Sequence, residues 1–268
     1  MNNNFSITIP EDLEREIFEL AANTSPSCRI TLACVSKKVN CWVLPKLYRS
    51  LLFSHQEIFS YPDTFSRYGH YTQDIVFDVP YGEMGLTQCL PYFPCVQSLF
   101  FSKAYLGDAF LRAARNYPCL KELWVYLSVD LNVTNYGSKS FVNLTHLALF
   151  KSVRSWNEVE AIQYFPVLSH ILFVDPDEVV LVRTLASCHR LELVLAAKPT
   201  PQEVVKQARR YRKKEWKVEF LAQTYGQVQD IRLVAFWLVG WTNLLNRWGT
   251  SRLWSGGEDV VAARAAGR

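Results

Sequence analysis

Apolar residues along the middle of the chain follow one spacing that recurs about every 24 residues. Five copies read apolar-x-x-apolar-x-apolar and start at Val96, Leu120, Leu144, Leu168 and Leu191, and a weaker first copy starts at Thr72. The second and third apolar positions are Ile75 and Phe77, Leu99 and Phe101, Leu123 and Val125, Leu147 and Leu149, Ile171 and Phe173, and Val194 and Ala196. Alternate residues of a β-strand point to the same face, so each copy predicts a short strand with one apolar face.

The six copies predict a stack of parallel strands around one continuous core. Parallel neighbours need a crossover segment between them, and a single copy cannot bury its apolar face alone. The pattern is the L-x-x-L-x-L signature of leucine-rich repeats, so we expect an α/β solenoid with a curved parallel sheet over residues 72–198. Helical crossovers are predicted at 107–116, 157–165 and 177–187. Aromatic residues that turn the chain back into a strand, with their rings inside the core, are expected at Phe93, Tyr117, Phe141 and Phe165.

The residues between the buried positions lie on the opposite face of the predicted sheet, which we call the outer face. Their side chains form contiguous rows, because neighbouring strands are about 4.8 Å apart. The candidates for binding a target protein are Phe100, Trp124, Tyr126, His146, Phe150 and His170. Two interpretations stay open: the rows are an exposed interaction site, or the C-terminal segment folds over them and buries them. Two histidines are too few for a zinc site, so no metal is predicted.

Residues 9–53 carry a different, helical periodicity. Leu13, Ile17 and Leu20 recur at helical spacing after Pro10, and Ser25-Pro26 is a typical start of a second helix. A second apolar stripe follows at Leu32, Val35, Val39 and Trp42. We expect Pro45 to end that helix, residues 46–48 to form one more turn and residues 50–53 to be extended. About 45 residues are near the lower limit for a self-supporting core. The segment is therefore either a cap packed on the repeats or a surface that docks a partner.

The segments IPEDLEREIF, LACVSKKVNCWV and LYRSLLF, in this order, resemble the F-box family in the forms found in fungal proteins. Ile9 stands where a leucine is more usual. The resemblance implies that residues 9–53 bind a Skp-family adaptor through Ile9, Pro10, Leu13, Ile17, Phe18, Leu32, Val35, Ser36, Val39 and Trp42. It implies a substrate-recognition adaptor of a Skp–cullin–F-box ubiquitin ligase, with an unknown target protein held by the repeats. The alternative is a stand-alone leucine-rich-repeat scaffold whose F-box-like segment is only an N-terminal cap.

The rest of the chain is divided by composition. Residues 1–8 are expected to be an N-terminal tail and residues 54–71 a connector. Residues 199–268 are expected to hold a helix at 201–216 with basic residues on a solvated face, a last strand at 231–237 and a tail with little to bury after Gly240.

Composition narrows the function. A net charge of +4 on 268 residues is too small to indicate a nucleic-acid partner. Neither a signal peptide nor an apolar run long enough for a membrane span is evident, so the sequence predicts a protein of the cytoplasm, the nucleus or both. The seven cysteines include no C-x-x-C pair. We find no nucleophile elbow, phosphate-binding loop, dinucleotide fingerprint or zinc-protease motif, and we predict no enzymatic activity and no cofactor.

Overall fold

The structure is a computed structural model that describes residues 9–53, 61–78, 88–106, 108–114, 117–127, 141–199, 232–238 and 241–266. Within these ranges the chain forms eight β-strands and seven α-helices. The strands are β1 (Ser50–Phe53), β2 (Asp74–Phe77), β3 (Ser98–Leu106), β4 (Glu122–Leu127), β5 (His146–Ser152), β6 (His170–Val174), β7 (Leu193–Pro199) and β8 (Leu233–Leu238). The helices are α1 (Glu11–Ala22), α2 (Pro26–Ala33), α3 (Lys37–Leu47), α4 (Pro62–Tyr68), α5 (Asp108–Ala114), α6 (Glu178–Ser187) and α7 (Trp241–Ala265).

All eight strands form one parallel sheet in chain order, so the fold is α/β. The register follows the sequence period, because Ser98 pairs with Glu122, Glu122 with His146 and His146 with His170. This confirms the strands predicted from the six copies. The sheet also extends one strand beyond the predicted array on each side, with β1 before it and β8 after it. The predicted last strand at 231–237 corresponds to β8.

A ladder of backbone hydrogen bonds joins equivalent residues of successive repeats. The amide of Gln97 donates to the carbonyl oxygen of Gln73 at 2.7 Å, and the amide of Lys121 donates to that of Gln97 at 2.8 Å. The same bond joins Thr145 to Lys121 at 2.8 Å and Ser169 to Thr145 at 3.0 Å. Each of these bonds spans 24 residues. The polar backbone at the start of the strands is therefore paired from repeat to repeat, as buried backbone must be.

The apolar positions of β2 to β7 are buried on one face of the sheet, which we call the core face. Phe53, Phe77 and Phe101 stack in a column on this face, with ring centroids 5.4 and 5.0 Å apart. The aromatic residues that precede the strands pack against the same cluster, fully buried at Phe93, Phe141 and Phe165 and partly buried at Tyr117. Their predicted place inside the core is confirmed.

The crossovers differ in part from the prediction. The expected connector at 54–71 contains α4 and a 3-10 turn at Gly69–Tyr71, and both lie between the paired strands β1 and β2. Its described residues, 61–71, are thus the crossover of an additional repeat. Helix α5 matches the prediction at 107–116, and α6 begins after Asp177, whose carboxylate accepts from the amide of Val179 at 3.0 Å. At 157–165, by contrast, the chain forms two 3-10 segments.

Helices α1, α2 and α3 form the helical head of the molecule. The predicted second stripe is divided between two helices, because the Ser36 hydroxyl accepts from the amide of Val39 at 3.1 Å and starts α3. Pro45 lies inside α3 and does not end it. The amide of Tyr48 still donates to the carbonyl oxygen of Leu44 at 3.0 Å, so the helix completes a turn beyond the proline. Pro10 is the N-cap residue of α1 and therefore lies one position before the first residue of the helix, Glu11.

The C-terminal part differs most from expectation. The tail after Gly240 was expected to bury little, but it forms α7, whose Leu253 and Trp254 side chains are buried. The helix predicted at 201–216 lies outside the described residues, as does the predicted tail at 1–8. Among the described helices, none is both long enough and apolar enough to cross a membrane.

We expect a leucine-to-alanine substitution to have different effects on stability on the two faces of the sheet. Leu99 is completely buried on the core face, whereas Leu52 is 57% exposed on the outer face. We expect Leu99→Ala to lower the free energy of unfolding by about 2–5 kcal/mol, because it leaves a cavity in the core. Leu52→Ala should change it by less than about 0.5 kcal/mol. Urea titration followed by far-UV circular dichroism measures both values, and equal losses would contradict this assignment of the faces.

Candidate protein-docking surfaces

Helix α1 carries apolar residues on two different faces. Phe18 and Ala22 point into the head, where the Phe18 ring lies 6.3 Å from the ring of Trp42 on α3. Leu13, Ile17 and Leu20 form a separate stripe, since a helix turns roughly 100° per residue and Leu13 lies about 140° round the helix from Phe18. Nothing in the head covers this second stripe: Leu13 is 49% exposed, Ile17 is 50% exposed and Leu20 is 69% exposed.

The interior of the head is small. Its fully buried side chains are Ala22, Val39 and Val43. Phe18, Leu32 and Trp42 are partly buried around them. The prediction that Val39 contacts a partner is therefore wrong, because its side chain is enclosed by the head itself. Most of the side-chain surface is also packed against this interior at Phe18, Leu32 and Trp42. A partner could contact only the exposed edges of these three side chains.

The predicted partner-binding residues thus fall into two groups. The exposed group is Ile9, Pro10, Leu13, Ile17, Val35 and Ser36. The structure adds two exposed apolar side chains that were not predicted as partner contacts, Leu20 and Ile30. Leu20 could have been found from its spacing, because it continues the Leu13–Ile17 stripe by three residues. Ile30 had no such signal, since α2 is only 8 residues long and is too short to show a repeated apolar spacing.

Polar contacts hold the three helices of the head in place. The Arg29 guanidinium donates to the carbonyl oxygen of Ala22 at 2.8 Å and to that of Lys46 at 3.3 Å, so it joins α2 to the C-terminal ends of α1 and α3. On the other side the Lys38 ammonium binds Glu14 at 2.9 Å and lies 4.9 Å from the centre of the Trp42 ring. The exposed stripe therefore stands on a framework fixed by named bonds, which is what a docking surface requires.

The second candidate surface is the outer face, and α7 lies across it. Phe100, Trp124 and Phe150 are buried there in a second hydrophobic cluster together with Leu253 and Trp254 of α7. The prediction of an exposed aromatic site is wrong for these three residues. The alternative, a C-terminal segment that covers the outer face, is confirmed. The side chain of Tyr126 lies outside the described residues.

Trp254 is the centre of the contact between α7 and the outer face. Its indole N–H donates to Glu122 Oε1 at 2.8 Å, and the indole of Trp124 donates to the same oxygen at 2.7 Å. Its ring packs edge-on against Trp124, His146 and His170, at centroid distances of 5.5, 5.1 and 5.8 Å. One aromatic side chain of α7 therefore touches three successive strands, β4, β5 and β6.

A second polar contact follows one turn later along α7. The Nε2–H of buried His170 donates to Glu258 Oε1 at 3.0 Å, because a carboxylate can only accept. Glu258 itself is 54% exposed. His146 stacks on His170 with ring centroids 4.3 Å apart. Both predicted histidines therefore face α7, and neither lies on an exposed surface open to a metal. Among the described residues, no group of three or more ligating side chains could hold a metal ion.

The contacts of α7 extend to the last strand of the sheet. Trp254 lies over β5, and Arg264 reaches the backbone carbonyl of Leu233 in β8. The contacts of these two side chains therefore extend from β4 to β8.

Gly257 allows this close approach. A Cβ atom at this position would lie 2.7 Å from Leu193 Cδ2 and 3.0 Å from Leu195 Cδ2, whereas a Cβ at the neighbouring Gly256 would meet nothing within 4 Å. These contacts explain part of the C-terminal sequence that had no rationale from composition. The sequence reasoning missed Glu258 and Gly257 because their partners in β6 and β7 are more than 60 residues away along the chain.

Comparisons with known proteins do not extend this description. No protein-family model matches the chain, and no curated protein is significantly similar to it.

The two adjacent glycines of α7 provide a matched test of its position. Alanine at either position gains about 1 kcal/mol of helix propensity over glycine. Only Gly257→Ala also forces a side chain into Leu193 and Leu195, at a cost of about 1–3 kcal/mol. We expect Gly257→Ala to be less stable than Gly256→Ala by that amount in chemical denaturation. Equal stabilities would show that α7 does not rest on β7.

The histidine pair predicts a pH dependence. Burial, and to a lesser degree the neighbouring His170, lower the pKa of His146 from 6.5 to about 4. The ionisable groups around it are Glu122 on β4, His170 on β6 and Glu258 on α7. The unfolded chain takes up a proton at His146 below about pH 6.5, while the folded chain does not, so this residue makes stability fall as pH drops from 6.5 to 4.

The variant His146→Gln should remove that contribution. We expect the free energy of unfolding of the wild type to fall more steeply between pH 6.5 and 4, by up to about 1.4 kcal/mol per pH unit, than that of the variant. Denaturant titrations at several pH values measure the two slopes. Parallel slopes would mean that His146 is as accessible to protons in the folded chain as in the unfolded one.

Proposed function

We propose that this protein is an adaptor that joins two other proteins, with the helical head docked on a Skp-family adaptor of a cullin-based ubiquitin ligase and the repeat sheet presenting a target protein. The observation that carries the proposal is the exposed apolar stripe of Leu13, Ile17 and Leu20 on α1. A small domain gains nothing in stability from three adjacent exposed apolar side chains, and such patches on soluble proteins mark interaction sites.

The chemistry around the stripe supports a protein partner. Val35, at the turn between α2 and α3, is also 57% exposed, and Ile9 precedes α1 with a similar exposure. Carboxylates flank the stripe on α1, at Asp12 and Glu16. An apolar centre with a polar rim is the usual anatomy of a specific protein interface. The resemblance of these same segments to an F-box favours the Skp family as the class of partner.

The function of such a chain would be recruitment. An adaptor of this kind performs no covalent step, and it raises the effective concentration of a target lysine beside the ubiquitin-conjugating enzyme. Its partners would be a Skp-family adaptor and, through it, a cullin, together with a target protein. Such machinery acts in the cytoplasm and the nucleus, and the role requires no cofactor, nucleic acid or membrane.

The second candidate function is a stand-alone repeat scaffold whose head is an N-terminal cap. One observation favours it: β1, which leaves the head directly after α3, pairs with β2 as the first strand of the sheet. Tyr48, between α3 and β1, also stacks on Tyr68 of α4 with ring centroids 4.8 Å apart. The head is therefore joined closely to the array and protects its first strand. Capping does not account for the stripe on the opposite side of α1.

The stripe can be tested with a charge substitution and a matched control. Leu13→Asp should weaken binding to a recombinant Skp-family adaptor at least tenfold, or by about 1.4 kcal/mol, because it places a carboxylate in an apolar interface. The head should stay folded, since Leu13 contributes nothing to its interior. Val182→Asp on α6 changes a side chain of almost equal exposure, 48%, far from the head and should leave binding unchanged. Isothermal titration calorimetry gives both affinities.

The outcomes separate the two candidate functions. If the wild type binds the adaptor and Leu13→Asp binds equally well, the interface does not include the α1 stripe. If the wild type does not bind it at all, the capping function is left as the better account of the head.

A further inference from the structure

The described side chains of α7 lie outside the larger hydrophobic cluster. That cluster, on the core face, runs from Phe53 in β1 to Leu233 in β8, and it includes none of the described side chains of α7. The buried side chains described for α7, Leu253 and Trp254, belong to the second cluster, on the outer face, with Phe100 and Trp124. The ladder bonds between the strands run from strand to strand and involve no residue of α7 among those described. Removal of these α7 contacts would therefore break none of the described ladder bonds.

The contacts that hold α7 have the chemistry of recognition. Glu122 accepts one hydrogen bond from the indole of Trp124 in the sheet and one from the indole of Trp254 in α7. The bond from Trp124 holds the carboxylate in the position in which it accepts the bond from Trp254. The Ser98 hydroxyl fixes its other oxygen at 3.2 Å. His170, buried and held by the Ser169 hydroxyl at 2.7 Å, presents its remaining ring nitrogen to a carboxylate. These two receptor groups select an indole and an acid.

The shape of the outer face adds a third requirement. Leu193 and Leu195 come so close to the helix that a Cβ at position 257 would lie 2.7 and 3.0 Å from their terminal methyl groups, so a glycine fits there without displacing them. In α7 the indole, the glycine and the carboxylate stand at Trp254, Gly257 and Glu258. Residues three and four apart lie on one side of a helix, so all three groups face the sheet together.

We propose that the outer face between β4 and β8 is a binding site for an amphipathic α-helix that carries a tryptophan, a glycine three residues later and a carboxylate four residues later, and that α7 occupies this site as an intramolecular ligand. The site would accept the corresponding helix of a target protein. The proposal deepens the target-binding part of the proposed function and rests on that part alone, because it does not involve the partner of the head.

The connection of α7 to the sheet sets the condition for exchange. β8 ends at Leu238 and α7 begins at Trp241, so the internal helix is held on a very short tether. A short tether gives an effective concentration on the order of millimolar. A helix from another protein therefore competes poorly with an intact α7 and binds when α7 is weakened.

The experiment uses the full-length chain and the two neighbouring glycines. Gly257→Leu places a large side chain against Leu193 and Leu195 and excludes α7 from the outer face, whereas Gly256→Leu points into open space and leaves it seated. The probe is a fluorescein-labelled peptide with the wild-type sequence of residues 251–266. Fluorescence anisotropy should show at least tenfold tighter binding of this peptide to the Gly257→Leu chain than to the Gly256→Leu chain.

The recognition groups are then tested in the opened chain. A peptide with Glu258→Gln should bind the Gly257→Leu chain at least threefold more weakly than the wild-type peptide, and adding His170→Ala to the chain should remove that difference. A matched peptide with Asp259→Asn, next to Glu258 but without a partner bond among the described contacts, should bind like the wild type. Equal binding of all three peptides would overturn the recognition by His170.

Each other outcome also decides the proposal. Loss of cooperative unfolding in Gly257→Leu but not in Gly256→Leu would make α7 an integral part of the fold and refute an exchangeable helix. Equal peptide binding to both chains would refute it as well. A wild-type chain that is dimeric by light scattering, with α7 exchanged between copies, would overturn occupancy within one chain. Leu13→Asp, measured against the Skp-family adaptor, reports on the head separately, so failure of one proposal is distinguishable from failure of the other.

Discussion

The structure depends on the hydrogen-bond ladder that repeats every 24 residues between parallel strands. Because each strand start is bonded to the equivalent residue of the next repeat, every side-chain row is continuous. The two faces of the sheet therefore carry different rows of side chains and make different contacts. One face stacks Phe53, Phe77 and Phe101 into a dry core. The other aligns Glu122, His146 and His170 in one row, which is the reason that a single helix lying across the strands can contact all of them.

The repeat could be predicted from the sequence, since strand positions follow from an apolar spacing that is local and recurs many times. Strand β1 and its crossover belong to the sheet and not to the head and a connector. Tyr48, Leu51 and Phe53 match the apolar spacing of the repeat, but this copy overlaps the end of α3 and lies in a segment that resembles an F-box. The division between α2 and α3 was missed for another local reason: the Ser36 cap interrupts a stripe whose apolar spacing continues across the break.

The covered outer face could not be predicted, and the reason is physical. Trp254 and Glu122 are 132 residues apart, and His170 and Glu258 are 88 apart. Their pairing is set by the three-dimensional path of α7 and leaves no periodic trace near either partner. The residue that permits the contact is a glycine, which in a sequence reads as a helix breaker. A segment rich in glycine and charge therefore has the composition of a tail, although it forms a helix that packs on the outer face.

The head and the outer face differ in whether their apolar side chains are covered by another part of the chain. On the outer face, Phe100, Trp124 and Phe150 are covered, and Glu122 and His170 near them bond to Trp254 and Glu258 of α7. On the head, α1 has one apolar face more than the interior needs, and Leu13, Ile17 and Leu20 stay in solvent on a framework held by Arg29 and Lys38. The same chain hides a large aromatic surface with its own helix and leaves a smaller one bare. The covered face needs no further partner for its apolar side chains, whereas the bare stripe is the surface on which the proposed docking of the head rests.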